Sequence, residues 1–407
     1  MINTPFKLPC GVTINNRLCK AATTERLCGR KGIPSNELVH LYKRWSGTNA
    51  GLLITGNFMV DRNHLESAGN VVVDSEVIHP ELVELANAGN SLGNHTWSQI
   101  GHSGRQTSRF VNLRPKSASS VQLKKMGLFG RPRAMSEADI QGVIKGFVTA
   151  AEVSKKAGFT GIQIHSAHGY LLSQFLSPIT NKRNDQWGGS LENRSRLLLT
   201  IVHKTREALG ADYPISVKLN SADFQRGGFT EDESFQVIQM LEDSGIDLLE
   251  ISGGTYEKVV FFLMNGDNAK ESTKQREAYF IDFAERVRKK CSIPLMVTGG
   301  FRTHAFASRA IESGAVDMIG MARPFITNIH EIRGFIEGEV DDLTDLVIRT
   351  GIADLEETAE AGFYARNIIR LAKGKEVKFN YSSIGNANFF VKHELFKGFT
   401  RRLLGSK

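Results

Sequence analysis

Eight times along this chain a short apolar run gives way to a helical pattern, and no other feature narrows the possible folds as much. The runs are "RLCKAAT" (17–23), "GLLITG" (51–56), "HTWSQIG" (95–101), "GIQIHSA" (161–167), "PISVKLN" (214–220), "DLLEISG" (247–253), "PLMVTGG" (294–300) and "DMIGMAR" (317–323). Continuous apolar runs of this length suit strands buried on both faces, as in a parallel sheet. The helices between them carry start and stop signals. Ser136 opens "SEAD", "TEDE" at 230–233 is a capping box, and Gly158 and Gly245 stand where helices end. Eight strand–helix units with short connections predict an α/β fold, a single (β/α)8 TIM barrel over 1–340. A doubly wound open sheet fits less well, because no GxGxxG follows the first strand. "TPFKLPCGVTINNR" alternates and turns at a Cys-Gly pair, which predicts an N-terminal β-hairpin closing the barrel bottom. Residues 341–407 read as a C-terminal extension, helical to about Lys375 and basic thereafter.

Composition excludes several classes. The chain has 407 residues, 41% apolar and 23% charged, ordinary for a soluble globular protein. No uninterrupted apolar stretch reaches the ~18 residues of a membrane span. The start lacks the basic-then-apolar layout of a signal peptide, so a cytoplasmic location is expected. Cys10, Cys19, Cys28 and Cys291 are scattered, without the CxxC spacing of a zinc or iron–sulfur site. The formal charge is +8, but nine Lys/Arg from Arg370 onward face only Glu376 and Glu394, so seven of the excess charges lie in the tail. That is not the profile of a nucleic-acid binder, whose basic residues line a working face. The segment "FFVKHELFKGFTRRLLGSK" (389–407) suits a basic amphipathic helix. It reads either as a solvated or oligomer-packing extension or as a weak contact with an anionic membrane surface.

In a TIM barrel the chemistry gathers at the C-terminal ends of the strands. Those ends hold Ala22, Thr23 and Thr24; Asn57; Gln99 with His102 and Arg105; His165, His168 and Tyr170; Lys218; Ser252; Gly299 and Gly300; and Ala322 and Arg323. Two long insertions, Ser103 to Met135 and Gly254 to about Thr273, also follow strands and are expected to act as lids. "TGGF" after strand seven and "MARP" after strand eight occupy the two loops that commonly bind phosphate in this fold, with Arg323 adding a charged fork.

A lysine in a barrel interior is costly unless paired. Lys218 therefore reads as a salt bridge to Glu250 or Asp223, as a Schiff-base nucleophile, or as the partner of an anionic cofactor ring. Gln99 can both donate and accept, which suits the pyrimidine edge of a flavin. The pair His165 and His168 admits a metal site, a structural pair, or two neutral donors aimed at one substrate oxygen. No strand end sets a carboxylate beside the pair, which weighs against a metal. Two donors polarising an oxygen would let a hydride land two bonds away while Tyr170 protonates the neighbouring carbon. The hydride source that this requires would be FMN.

These residues carry a resemblance. The stretches "QIGHSGRQ" (99–106), "GIQIHSAHGYLLSQFLSPITNKRNDQWGGSLENRSR" (161–196) and "DMIGMARPFITN" (317–328) resemble the old yellow enzyme family, in the branch that includes the barrel domains of 2,4-dienoyl-CoA reductases. The resemblance runs from about Thr4 to Lys375 and implies an FMN-dependent ene-reductase using NADH or NADPH. It implies that Ala22, Thr23 and Thr24 lie along the flavin, with Thr24 tuning its potential, and that Gln99 and Lys218 hold the ring. It places the phosphate on Gly300, Ala322 and Arg323, the substrate oxygen on His165 and His168, and the proton on Tyr170. Asn57 stands where many members have Ala or Gly against the flavin, and Ala322 where Gly is common. Arg26 stands where one branch has a substrate-facing Tyr, which implies an anionic or unusually polar substrate. No cysteine cluster follows the barrel in this sequence, so electrons are expected from a nicotinamide cofactor or a separate partner. Two other directions stay open at this level: a flavin-dependent amine demethylase or dehydrogenase, and a flavin-free lyase using Lys218. A flavin-binding scaffold without activity is a third.

Overall fold

The computed structural model describes residues 1–125, 127–253, 280–343, 346, 348 and 350–404. Eight parallel strands close into a barrel: β1 (Leu18–Lys20), β2 (Leu52–Met59), β3 (His95–Gly101), β4 (Gly161–Ser166), β5 (Ile215–Asn220), β6 (Leu248–Ser252), β7 (Leu295–Thr298) and β8 (Met318–Met321). Closure comes from β1, which pairs with β8 on one side and β2 on the other. The eight expected runs are the eight staves. The insertion expected at Gly254 to Thr273 lies outside the described residues.

Helices wrap the sheet: α1 (Asn36–Ser46), α2 (Pro80–Gly89), α3 (Glu137–Lys156), α4 (Leu191–Leu209), α5 (Glu231–Asp243), α6 (Ile281–Arg288), α7 (His304–Glu312) and α8 (Ala353–Ala372). Ser136 and Thr230 each form a reciprocal capping box, with Asp139 and Glu233. Gly158 and Gly245 take φ of +96° and +69°, the left-handed turn that releases the chain after α3 and α5. Helix α8 docks on α1: the His40 ring meets the Ala372 carbonyl at 2.8 Å, and Ile368 and Leu371 join the core shared with the barrel. A last helix, α9 (Ser383–Leu404), packs on α8. It leaves Ile384, Val391, Leu395 and Phe396 exposed. No helix among the described residues is long and apolar enough to cross a membrane.

The period-2 alternation of strand side chains sorts the barrel interior by depth. Partner positions in parallel register face the same side. Gln99 pairs with Gln163, and Lys218 pairs with both His165 and Glu250. Stepping two residues down each strand reaches Trp97, Ser216 and Leu248. Trp97 and Leu248 join Leu52, Ile54, Met296 and Met318 in an apolar plug at the lower end. The hairpin Phe6–Lys7/Thr13–Ile14 completes it with Leu8 and Ile14. Gly161 is required there, because a Cβ would fall 2.5 Å from the Trp97 ring nitrogen. Alternate residues such as Ile100, Ile162, Val217 and Leu249 point outward into the helix layer. Each such buried aliphatic side chain contributes roughly 1.5–3 kcal/mol. The result is a dry floor with a polar ring above it, at the level of His165, Lys218 and Glu250.

Candidate active site

Strand β4 ends at Ser166, and a tight turn delivers His168 and Gly169 at φ of +59° and +76°. A non-glycine residue in this region is uncommon and is characteristic of functional turns. The turn is fastened by the His168 N–H to Asn220 Oδ1 (3.0 Å) and by Gln106 Nε2 to the His168 carbonyl (2.9 Å). It brings together the three predicted residues. The His165 and Tyr170 rings lie 4.7 Å apart edge-on, His165 and His168 5.2 Å, and His168 and Tyr170 6.5 Å. His165 Nδ1 accepts from the Ala167 N–H at 3.2 Å, so its proton sits on Nε2. His168 Nε2 meets Ser252 Oγ at 2.8 Å. When Ser252 donates there, His168 keeps its proton on Nδ1 as the remaining donor. Burial, reinforced by the proximity of the His168 ring and of Lys218, drives His165 well below the usual imidazole range. Burial and then Lys218 do the same for His168. Both rings are neutral donors at pH 7.

Beside them, Gln99 Nε2 donates to Gln163 Oε1 at 2.7 Å, and Gln163 Nε2 donates to Glu250 Oε2 at 2.8 Å. Lys218 Nζ lies 2.7 Å from Glu250 Oε1, with side-chain exposures of 5% and 0%. Of the three readings of Lys218, the salt bridge is the one realised. An ammonium held this way is a poor nucleophile, so the geometry speaks against the Schiff-base lyase. A cation whose charge is already balanced can still present N–H donors to a ring above it.

Gly299 and Gly300, at φ of +114° and +91°, and the Ala322–Arg323 turn line a cavity of about 70 Å³. One water needs ~10–15 Å³ of such space, so a phosphoryl group fits. Arg323 Nη1 donates to Glu360 Oε1 of α8 at 2.9 Å, and α8 thereby directs this fork. On the β1 side, Thr24 Oγ1 donates to Glu66 Oε2 at 2.9 Å. Thr23 Oγ1 and Asn57 Oδ1 are buried without a hydrogen-bond partner among the described residues. Buried polar atoms left unpaired are rare, and a bound polar ring is the natural partner. Ala22, Thr23, Thr24, Asn57, Gln99 and Lys218 at one end, with the glycine turns at the other, therefore fit FMN.

Other features were not legible beforehand. Arg26 is enclosed rather than open to solvent: its Nε donates to Glu394 Oε1 of α9 at 2.7 Å and its Nη1 to the Thr24 carbonyl at 2.9 Å. Lys20, fully buried, lies 3.6 Å from Glu25 Oε1, which also accepts from Tyr42 Oη (2.6 Å) and the Gly56 N–H (2.9 Å). A lysine within an apolar strand followed by a glutamate was the available signal. Asp61, His64 and His102 also gather, with the two rings stacked at 4.4 Å. His64 commits Nδ1 to Asp61 (2.8 Å) and Nε2 to the Lys116 N–H (2.9 Å). That leaves His64 no lone pair for a metal, and the cluster instead braces the insertion after β3.

Comparison with known proteins agrees with this geometry. The sequence model of the NADH:flavin oxidoreductase / NADH oxidase family matches residues 2–332. The NADH-dependent flavin oxidoreductase nadA of Aspergillus parasiticus is 38% identical over 351 residues, covering 81% of this chain and 78% of that protein. A 2-naphthoyl-CoA reductase in complex with 2-naphthoyl-CoA superposes with a TM-score of 0.75 at 27% identity, covering 83% of this chain. The chain spans 52% of that reductase's length. An old yellow enzyme homologue from Zymomonas mobilis superposes with a TM-score of 0.71 at 25% identity, covering 85% of this chain and 95% of that one.

Proposed function

The chain belongs to the NADH:flavin oxidoreductase / NADH oxidase family, a flavin-dependent oxidoreductase of the old yellow enzyme type, and from that membership we propose that it is an ene-reductase. Its acceptors are activated C=C bonds of α,β-unsaturated carbonyl or related compounds, and its donor is NADH or NADPH. FMN, when bound, supplies hydride transfer between them. The protein's own residues supply the remaining chemistry. His165 Nε2–H and His168 Nδ1–H donate to the acceptor oxygen, drawing electrons from the β-carbon. With the Ser252 hydroxyl donating to Nε2, the second imidazole presents its Nδ1–H. Tyr170, edge-on to His165, delivers a proton to the α-carbon. Gln99 and Lys218 hold the ring, and Gly299, Gly300, Ala322 and Arg323 hold the phosphate.

The observation that carries this reading is the convergence of two neutral buried imidazoles and one phenol on a single turn. The test is anaerobic. NADH or NADPH should bleach the flavin of the purified holoenzyme, and cyclohex-2-enone should restore its colour. Tyr170→Phe should keep the bleaching rate and slow reoxidation by about 100-fold, the usual worth of a general acid. Bleaching without reoxidation by any enone would remove the ene-reductase assignment, and bleaching by an amine in place of NADH or NADPH would favour the reverse, amine-oxidising direction.

A further inference from the structure

Helix α9 reaches the catalytic rim, and it does so through the loops that follow three successive staves. Glu394 bonds Arg26 in the loop after β1 and Ser67 Oγ (2.9 Å) in the loop after β2. Lys397 Nζ donates to the Cys28 carbonyl at 3.1 Å, again after β1. Gly398 sits against Phe110 in the insertion after β3, where an added Cβ would lie 2.9 Å from the Phe110 Cβ. Substrates enter a TIM barrel from this end, so α9 forms part of the entrance.

Arg26 is held closely by α9. Its guanidinium has Glu394 at 2.7 Å, Glu66 at 3.7 Å, the Thr24 carbonyl at 2.9 Å, and the Phe390 ring with its centroid 5.0 Å away. The three charged side chains are 15%, 20% and 5% exposed for Arg26, Glu394 and Glu66. The Arg26 backbone is itself in the left-handed region at φ +62°, packed on Gly69, whose Cβ would fall 2.6 Å from the Arg26 carbonyl. Two carboxylates thus converge on a single fixed guanidinium. An incoming substrate carboxylate would have to displace Glu394 and would still face Glu66. The expectation from Arg26 was an anionic or unusually polar acceptor, and these partners weigh against the anionic alternative.

We propose that Glu394 makes α9 the acceptor-side wall of the mouth and a specificity-determining element: by holding Arg26, it selects neutral acceptors against those carrying a carboxylate. The turnover arm of its test rests on the ene-reductase reading; the binding arm does not.

The probes are cyclohex-2-enone and 4-oxocyclohex-2-ene-1-carboxylate, titrated into oxidised holoenzyme and followed by the flavin absorbance change. In Glu394→Gln, the ratio of the carboxylate's Kd to the neutral compound's should fall by roughly three- to tenfold, the scale of a partly exposed rim charge. Glu394→Asp should return the ratio toward wild type. Arg26→Gln/Glu394→Gln, which removes the receiving cation, should abolish the gain. In the wild type, raising salt should also lower the ratio as the rejecting charge is screened, a readout that needs no variant to fold. An unchanged ratio in Glu394→Gln, a gain that persists in the double variant, or a salt-independent wild-type ratio would each overturn the proposal. Reoxidation of the reduced enzyme by the same two compounds is then measured. If neither reoxidises it, the ene-reductase reading falls, while the binding ratios still decide the role of Glu394.

Discussion

Replacing Lys218 with methionine isolates what the buried ion pair does. The substitution keeps most of the side chain's volume and removes its charge, leaving the Glu250 carboxylate fully buried against the Gln163 Nε2 donor. Removing one partner of a buried pair costs ~3–5 kcal/mol, because the other charge is stranded. Lys218→Met should thus be about 3–5 kcal/mol less stable than wild type at pH 7. With ~2.1 cal/mol/K of unfolding entropy per residue, that loss is a Tm decrease of about 4–6 °C for a chain of this size. Lys218→Met/Glu250→Gln, which removes the stranded charge, should recover most of it. The assay is urea unfolding and thermal denaturation of flavin-free protein. A single variant as stable as wild type, or a double variant no better than the single, would refute the ion-pair account.

Burial lowers Lys20 from 10.5 to about 8, against the opposing pull of Glu25. The unfolded chain therefore holds more protons between pH ~8 and ~10.5, and the wild type should gain stability relative to Lys20→Met/Glu25→Gln across that window, by up to about 3 kcal/mol in urea titrations. Because His165 and His168 are held neutral, the rate of flavin reoxidation by an enone should show no inflection near pH 6.5 in stopped-flow profiles from pH 6 to 8. Gly320→Ala would set a Cβ 1.9 Å from Thr298 Oγ1 on the paired strand. It should cost ~1–3 kcal/mol and weaken FMN retention, measured by fluorescence of released flavin, with Thr298→Ala/Gly320→Ala recovering part of both.

Much of the fold was legible because its signals are local. A buried parallel strand advertises itself as a short apolar run, and helix ends advertise themselves through capping side chains such as Ser136 and Thr230 and turn glycines such as Gly158 and Gly245. Once eight such units are counted, the barrel rule alone points to His165, His168, Tyr170, Gln99, Lys218 and the Gly299–Gly300 turn. Strand boundaries came within a residue or two wherever the apolar run stopped with the strand. They missed by three residues at β1, which stops at Lys20, short of the expected Thr23, and at β2, where polar Asn57 continues the strand past the expected end.

What the amino-acid order determined by itself was the number of staves, their sequence, and therefore which side chains stand at the mouth. Those facts depend on interactions between residues a few positions apart. Only the tertiary structure decided how the charges there are spent. Arg26 meets Glu394 across 368 positions, and Lys125 meets Glu357 across 232. Likewise Lys218 chose Glu250 over Asp223, whose Oδ2 is taken by Ser177 and the Phe229 N–H. A Coulomb partner that far along the chain leaves no periodic trace in the sequence. It is selected by which loops the closed barrel brings to the same rim, and by the desolvation cost that makes each buried charge require a counter-charge there.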